Sequence, residues 1–133
     1  MRTYLIEPQL IFVPFLTRLL SDAGLEIVAS SRDFDAKDIA SHDPALVFVD
    51  VDFCERGAAN ALCRIQQVAK DAAVIVYTDG EDADFEAACY ISGASAIVSK
   101  RAGIDALIKT VRGLLPSRAE AAGDTQAAEL LVG

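Results

Sequence analysis

Five short β-branched or aliphatic runs alternate along this chain with longer stretches whose apolar residues recur at three and four positions. The runs are residues 3–6, 26–29, 46–51, 73–77 and 96–99. A strand buried on both faces is apolar throughout, whereas one wetted on one face alternates. Most of these runs are continuously apolar, and Leu46-Val47-Phe48-Val49 is the expected centre of the sheet. Such strands separated by helical segments specify an α/β fold, a parallel sheet with helices on both faces.

The intervening segments read as helices of unequal strength. Phe15, Leu16, Leu19 and Leu20 form a stripe that stops at Gly24, a residue suited to the end of a helix. Ala58, Ala61, Leu62, Ile65 and Val68 form a second stripe; Ile104, Leu107, Ile108, Val111 and Leu115 form a third, closed by Pro116. Weaker helices are expected around residues 35–40 and 82–91, resting on Phe34 and Ile39 and on Phe85, Ala88, Cys89 and Ile91. Proline suits only the first turn of a helix, so the first helix should begin near Pro14, leaving Leu10-Ile11-Phe12-Val13 in an apolar connection that covers the sheet or, where exposed, offers a self-association or partner surface. After Pro116 the composition turns to Ser, Ala, Glu, Gly, Asp and Gln, so residues 1–116 read as one domain and 117–133 as a flexible tail or the start of a linker.

A chain of 133 residues fits one domain that buries about two thirds of its surface without staples. Although 53% of the residues are hydrophobic, no run reaches the roughly 18 apolar residues that span a bilayer. The apolar start stops at Glu7, short of a signal-peptide core, so a soluble cytoplasmic protein is expected. Cys54, Cys63 and Cys89 are odd in number and lack a Cys-x-x-Cys pair, and His42 is the single histidine, which argues against zinc and disulfides. Cys63 and Cys89 are expected in the core, where free cysteine acts as a small hydrophobe, and His42 in a surface loop. The net charge of −8, with Lys100-Arg101 as the densest positive group, opposes direct contact with a nucleic-acid backbone.

In an open α/β sheet, ligands collect beyond the carboxyl ends of the strands. The first strand ends at Glu7, the third at Asp50 with Asp52 just beyond, the fourth at Thr78-Asp79 and the fifth at Lys100. Neighbouring carboxylates repel unless a hard cation such as Mg²⁺ neutralises them, and an aspartate held that way can attack phosphorus. A nearby ammonium can then contact the phosphoryl oxygens, and a hydroxyl can turn the added charge into movement of a loop.

The order and spacing of Glu7, Asp50, Thr78 and Lys100 resemble the receiver domains of two-component response regulators. The resemblance covers about residues 2–115 and extends to Leu16-Thr17-Arg18-Leu19-Leu20-Ser21-Asp22-Ala23-Gly24, Pro44-Ala45-Leu46-Val47-Phe48-Val49-Asp50, Val74-Ile75-Val76-Tyr77-Thr78 and Ser92-Gly93-Ala94-Ser95-Ala96-Ile97-Val98-Ser99-Lys100. It implies a flavodoxin-like sheet of order 2-1-3-4-5, with Asp50 as phospho-acceptor, Thr78 as switch hydroxyl and Lys100 as the phosphate-contacting lysine. It implies Mg²⁺ as cofactor, with Glu7, Asp50 and Asp52 as candidate ligands. The implied partners are a histidine kinase or phosphotransfer protein, and a second copy meeting the last two helices and fifth strand.

Three departures from that pattern stand in the sequence. The second acid expected after the first strand is Pro8, which supplies neither a ligand nor a backbone N–H. The aromatic expected on the fifth strand is Ile97, and the proline expected after the lysine is Arg101, which favours a trans peptide there. These departures suit a second reading, a pseudo-receiver that keeps the fold as an interaction or dimerisation module without regulated phosphorylation. A third, Asp50-Val51-Asp52 as the nucleophile and acid of a phosphatase, is disfavoured because the pair follows the third strand and Asp105 stands alone after the lysine.

Overall fold

The computed structural model describes residues 1–52, 56–80 and 82–115. Its strands are β1 (Arg2–Ile6), β2 (Glu26–Ser31), β3 (Leu46–Asp50), β4 (Ala73–Thr78) and β5 (Ala96–Ser99). The α-helices between and after them are α1 (Val13–Asp22), α2 (Ala36–His42), α3 (Ala58–Val68), α4 (Ala83–Ile91) and α5 (Ile104–Leu114). All strand pairings are parallel, in the order β2-β1-β3-β4-β5. This is the α/β architecture and strand order expected.

Every residue of β3 is buried, and its alternation divides the core into two layers. Val47 and Val49 point to the layer of Tyr4, Ile39, Leu62, Ile65, Val74 and Cys89. Leu46 and Phe48 point to the layer of Leu5, Leu16, Leu20, Val98, Leu107 and Val111. Helices α2, α3 and α4 therefore cover one face and α1 and α5 the other. Among the described residues no helix is long and apolar enough to cross a membrane.

Local chemistry explains where elements start and stop. Pro14 occupies the first turn of α1, where its missing N–H is harmless. Gly24, at φ +108°, follows that helix in the left-handed region, and its N–H donates to the Ser21 carbonyl at 3.0 Å. Asp35 caps α2 by accepting from the Asp38 N–H at 3.0 Å, and Asp82 caps α4 by accepting from the Asp84 N–H at 2.9 Å.

Several expectations need correction. Residues 10–12 do not cover the sheet: Leu10–Phe12 form a 3₁₀ turn, with Leu10 59% and Ile11 81% exposed, while Val13 starts α1 and packs against the core layer that Leu16 and Leu20 seal. Cys63 is exposed, since the stripe of α3 that faces the core runs through Leu62 and Ile65; Cys89 is buried as expected. Ala88 and Ile91 face outward from α4, which leaves Cys89 and half-buried Phe85 as its inward contacts. His42 ends α2 rather than lying in a loop, half-buried, with Nδ1 2.8 Å from the Asp38 carbonyl. Cys54, Pro116 and the tail from 117 lie outside the described residues.

Candidate functional site

Strand register assembles the site. Ile6 pairs with Val49, so Glu7 emerges beside Asp50; Asp50 pairs with Tyr77, one residue before Thr78; Thr78 pairs with Ser99, one residue before Lys100. Four expected residues thus meet at one rim, and Asp52 joins them because its N–H donates to Asp50 Oδ1 at 3.1 Å, folding the chain back over the end of β3. Lys100 is delivered by a 3₁₀ turn, Lys100–Ala102, capped where Ser99 Oγ accepts from the Arg101 N–H at 3.2 Å. The Lys100–Arg101 peptide is trans, as expected.

Glu7, Asp50 and Thr78 are buried, at 0%, 2% and 1% exposure. Lys100 Nζ donates to Asp50 Oδ2 at 2.7 Å and lies 2.9 Å from Asp52 Oδ2. Asp52 also accepts the Thr78 hydroxyl at Oδ1, at 2.5 Å, and the Asp79 N–H at Oδ2, at 2.8 Å. The Gly80 N–H donates in turn to Thr78 Oγ1 at 2.9 Å. Asp79 is exposed and contributes its backbone to the cluster rather than its carboxylate.

The electrostatics follow from these contacts. Burial foremost, reinforced by the adjacent Asp50 carboxylate, pushes the Glu7 carboxyl up to about 7, against weaker opposing pulls from the Gln9 N–H and Lys100. Burial also opposes charge on Asp52, but the Thr78 hydroxyl, the Lys100 ammonium and the Asp79 N–H outweigh it and hold that carboxyl below its ordinary range. Burial likewise opposes charge on Lys100, and the two aspartates reverse this, raising its pKa. The ammonium further sits 5.3 Å from the centre of the Tyr77 ring, a contact without a sequence signal of its own.

As arranged, these residues do not fit a divalent cation. Mg²⁺ requires near-octahedral oxygen coordination. Both Asp50 oxygens accept protein donors, as do both Asp52 oxygens. Glu7 Oε1 takes the Gln9 N–H at 3.0 Å, leaving Oε2 buried without a hydrogen-bond donor. The single ammonium offsets one of the two aspartate charges, burial favours the neutral form of Glu7, and no group of three side chains placed to hold a metal occurs among the described residues. A cavity of ≈ 140 Å³ beside the cluster is walled by Phe12, Phe15, Leu16 and Tyr77; the exposed faces of Phe12 and Phe15 gave no sequence clue to that placement.

With this geometry in view, solved structures supply a match. A LuxR-family two-component response regulator from Aurantimonas sp. SI85-9A1 is 22% identical, with 99% of this chain and 98% of that one covered, at a TM-score of 0.73. The fold is that of response regulator receiver domains. The signal receiver domain of NarL from Mycobacterium tuberculosis shares this receiver fold at 17% identity, covering 88% of this chain and 97% of that one, with a TM-score of 0.74. So does the isolated REC domain of RcsB from Salmonella enterica serovar Typhimurium, solved in the presence of phosphomimetic BeF3⁻, at 15% identity, 86% and 87% coverage and a TM-score of 0.74. No protein-family model and no curated protein matches the sequence. The receiver fold explains why the acids, the hydroxyl and the ammonium share one rim, since that rim is where the carboxyl ends of β1, β3, β4 and β5 meet.

Proposed function

We propose that this chain is a signalling module of receiver type that works through protein contacts without regulated phosphorylation. The observation that carries this reading is the internally bonded acid cluster: Pro8 stands in place of a second acid, Glu7 is buried with a raised pKa, and the Lys100 ammonium bridges Asp50 and Asp52. Transfer of a phosphoryl group to a buried aspartate needs a cation to offset the incoming charge, and here the Asp50 and Asp52 oxygens are already engaged by protein donors that such a cation would have to displace. Exposed Tyr90, Ile91 and Ile104, on and beside α4 and α5, support an interaction surface there, for a partner protein or a second copy.

A second reading, in which a histidine kinase or phosphotransfer protein phosphorylates Asp50 and Thr78 and Lys100 respond, is favoured by the convergence of those three residues on one rim. Titration of Mg²⁺ with and without beryllofluoride, followed by backbone amide NMR in wild type and Asp50→Asn, separates the two. Phosphorylation independence predicts no saturable shifts in either protein. Shifts around Asp50, Thr78 and Lys100 in wild type alone would establish the phospho-acceptor instead.

A further inference from the structure

The three donors that converge on Asp52 form a complete anion position: a hydroxyl from Thr78, a backbone N–H from Asp79 and the ammonium of Lys100. Hydroxyl, amide and ammonium are the donors that recognise phosphoryl oxygens, and a carboxylate presents two oxygens of similar charge to the same set. Asp52 is held in that position from below, because its own N–H is bound to Asp50 Oδ1. The side chain is 18% exposed, which leaves these polar contacts partly shielded from water.

We propose that Asp52 is a built-in occupant of the anion position, standing in for the phosphoryl group that Asp50 would otherwise present, so that Thr78 and Lys100 stay engaged in the unmodified protein. The consequence reaches α4. Thr78, held inward by Asp52, accepts the Gly80 N–H, and the backbone at Gly80 packs so closely on Phe85 that an added Cβ would stand 3.0 Å from the ring. Phe85 belongs to α4 and packs against the core, so the carboxylate at residue 52 fixes the β4–α4 turn beside the exposed Tyr90 and Ile91. The module is thereby set in one state by its own sequence. This deepens the phosphorylation-independent reading and rests on it for its biological meaning, while its structural content stands on the Asp52 contacts alone.

The test uses the full chain with Asp52→Ala and the isosteric Asp52→Asn, and inorganic phosphate as the probe, in the absence of Mg²⁺. Without phosphate, wild type should show a single Thr78 side-chain rotamer by scalar couplings and a strongly hydrogen-bonded Asp79 amide. Asp52→Ala should show rotamer averaging and an upfield Asp79 amide, with Asp52→Asn between them. Phosphate should return both signals in Asp52→Ala toward wild type and bind it roughly 10-fold or more tighter than wild type, the loss expected when a like charge occupies the site. Thr78 and Asp79 signals unchanged by Asp52→Ala, or equal phosphate affinity in wild type and variant, would overturn the proposal. A beryllofluoride response of the wild type with Mg²⁺ would sink the phosphorylation-independent reading, whereas these metal-free readouts decide the role of Asp52.

Discussion

Glu7 combines complete burial with a carboxyl oxygen that has no donor, and its proton is the natural remedy. With a folded pKa of about 7 against an ordinary 4.5, the folded protein keeps a proton that the unfolded chain has lost between those values. Stability from this group is therefore fully present below about pH 4.5 and declines as pH rises toward 7, by on the order of 3 kcal/mol in total. Asp52 acts in the opposite sense, since its depressed pKa makes a contribution that is lost as pH falls below its ordinary value. Glu7→Gln should abolish most of the decline between pH 5 and 8, read as denaturant midpoints across that range; an unchanged slope would show that Glu7 is ionised in the fold. Lys100→Met should cost on the order of 3 kcal/mol, because it strands Asp50 as a buried charge, and adding Asp50→Asn should recover part of that loss. Chemical denaturation of the single and double variants measures the coupling.

At the scale of elements, polar caps decide boundaries that the apolar pattern leaves loose. The short α2, seven residues from Ala36 to His42, buries only Ile39 and depends on the bond from Asp38 N–H to Asp35 Oδ1. Asp35→Ala should therefore destabilise the domain by about 1 kcal/mol, visible as a lower denaturant midpoint with an unchanged slope. The central strands were legible in the sequence because burial on both faces makes a run wholly apolar, and β3 and β4 show that signature. For the connection at residues 10–13 the apolar pattern left covering the sheet and exposure both open. An apolar run shows that residues avoid water in some state, but whether the sheet below still has an uncovered face depends on where Leu16 and Leu20 land. Cys63 failed for a related reason: next to Leu62 it belongs to an apolar helix yet falls about 100° round it, on the solvent side.

For the whole molecule, a net charge of −8 on a 133-residue chain means self-repulsion in the folded state. Raising ionic strength from about 0.01 to about 1 M shortens the Debye length from about 30 to about 3 Å, so the thermal midpoint should rise with salt. The buried Lys100–Asp50 contact is screened far less than surface charge, and Lys100→Met should leave that salt slope nearly unchanged. Calorimetry of both proteins over the salt series checks this, and a slope that vanishes in the variant would assign the effect to the site.

By itself the sequence determined the fold class, the strands, the division into helices and the meeting of Glu7, Asp50, Thr78 and Lys100, because strand period, helix period and the residue at each strand end are local properties. Only the tertiary structure decided which polar group takes which partner. Asp52 read as one more acid beside a metal, and became the acceptor of Thr78, Asp79 and Lys100 because those donors arrive from other strands at distances that register and backbone turns set. Hydrogen bonds and ion pairs act over about 3 Å, and no spacing along a chain fixes a distance that small between residues 26 to 48 positions apart.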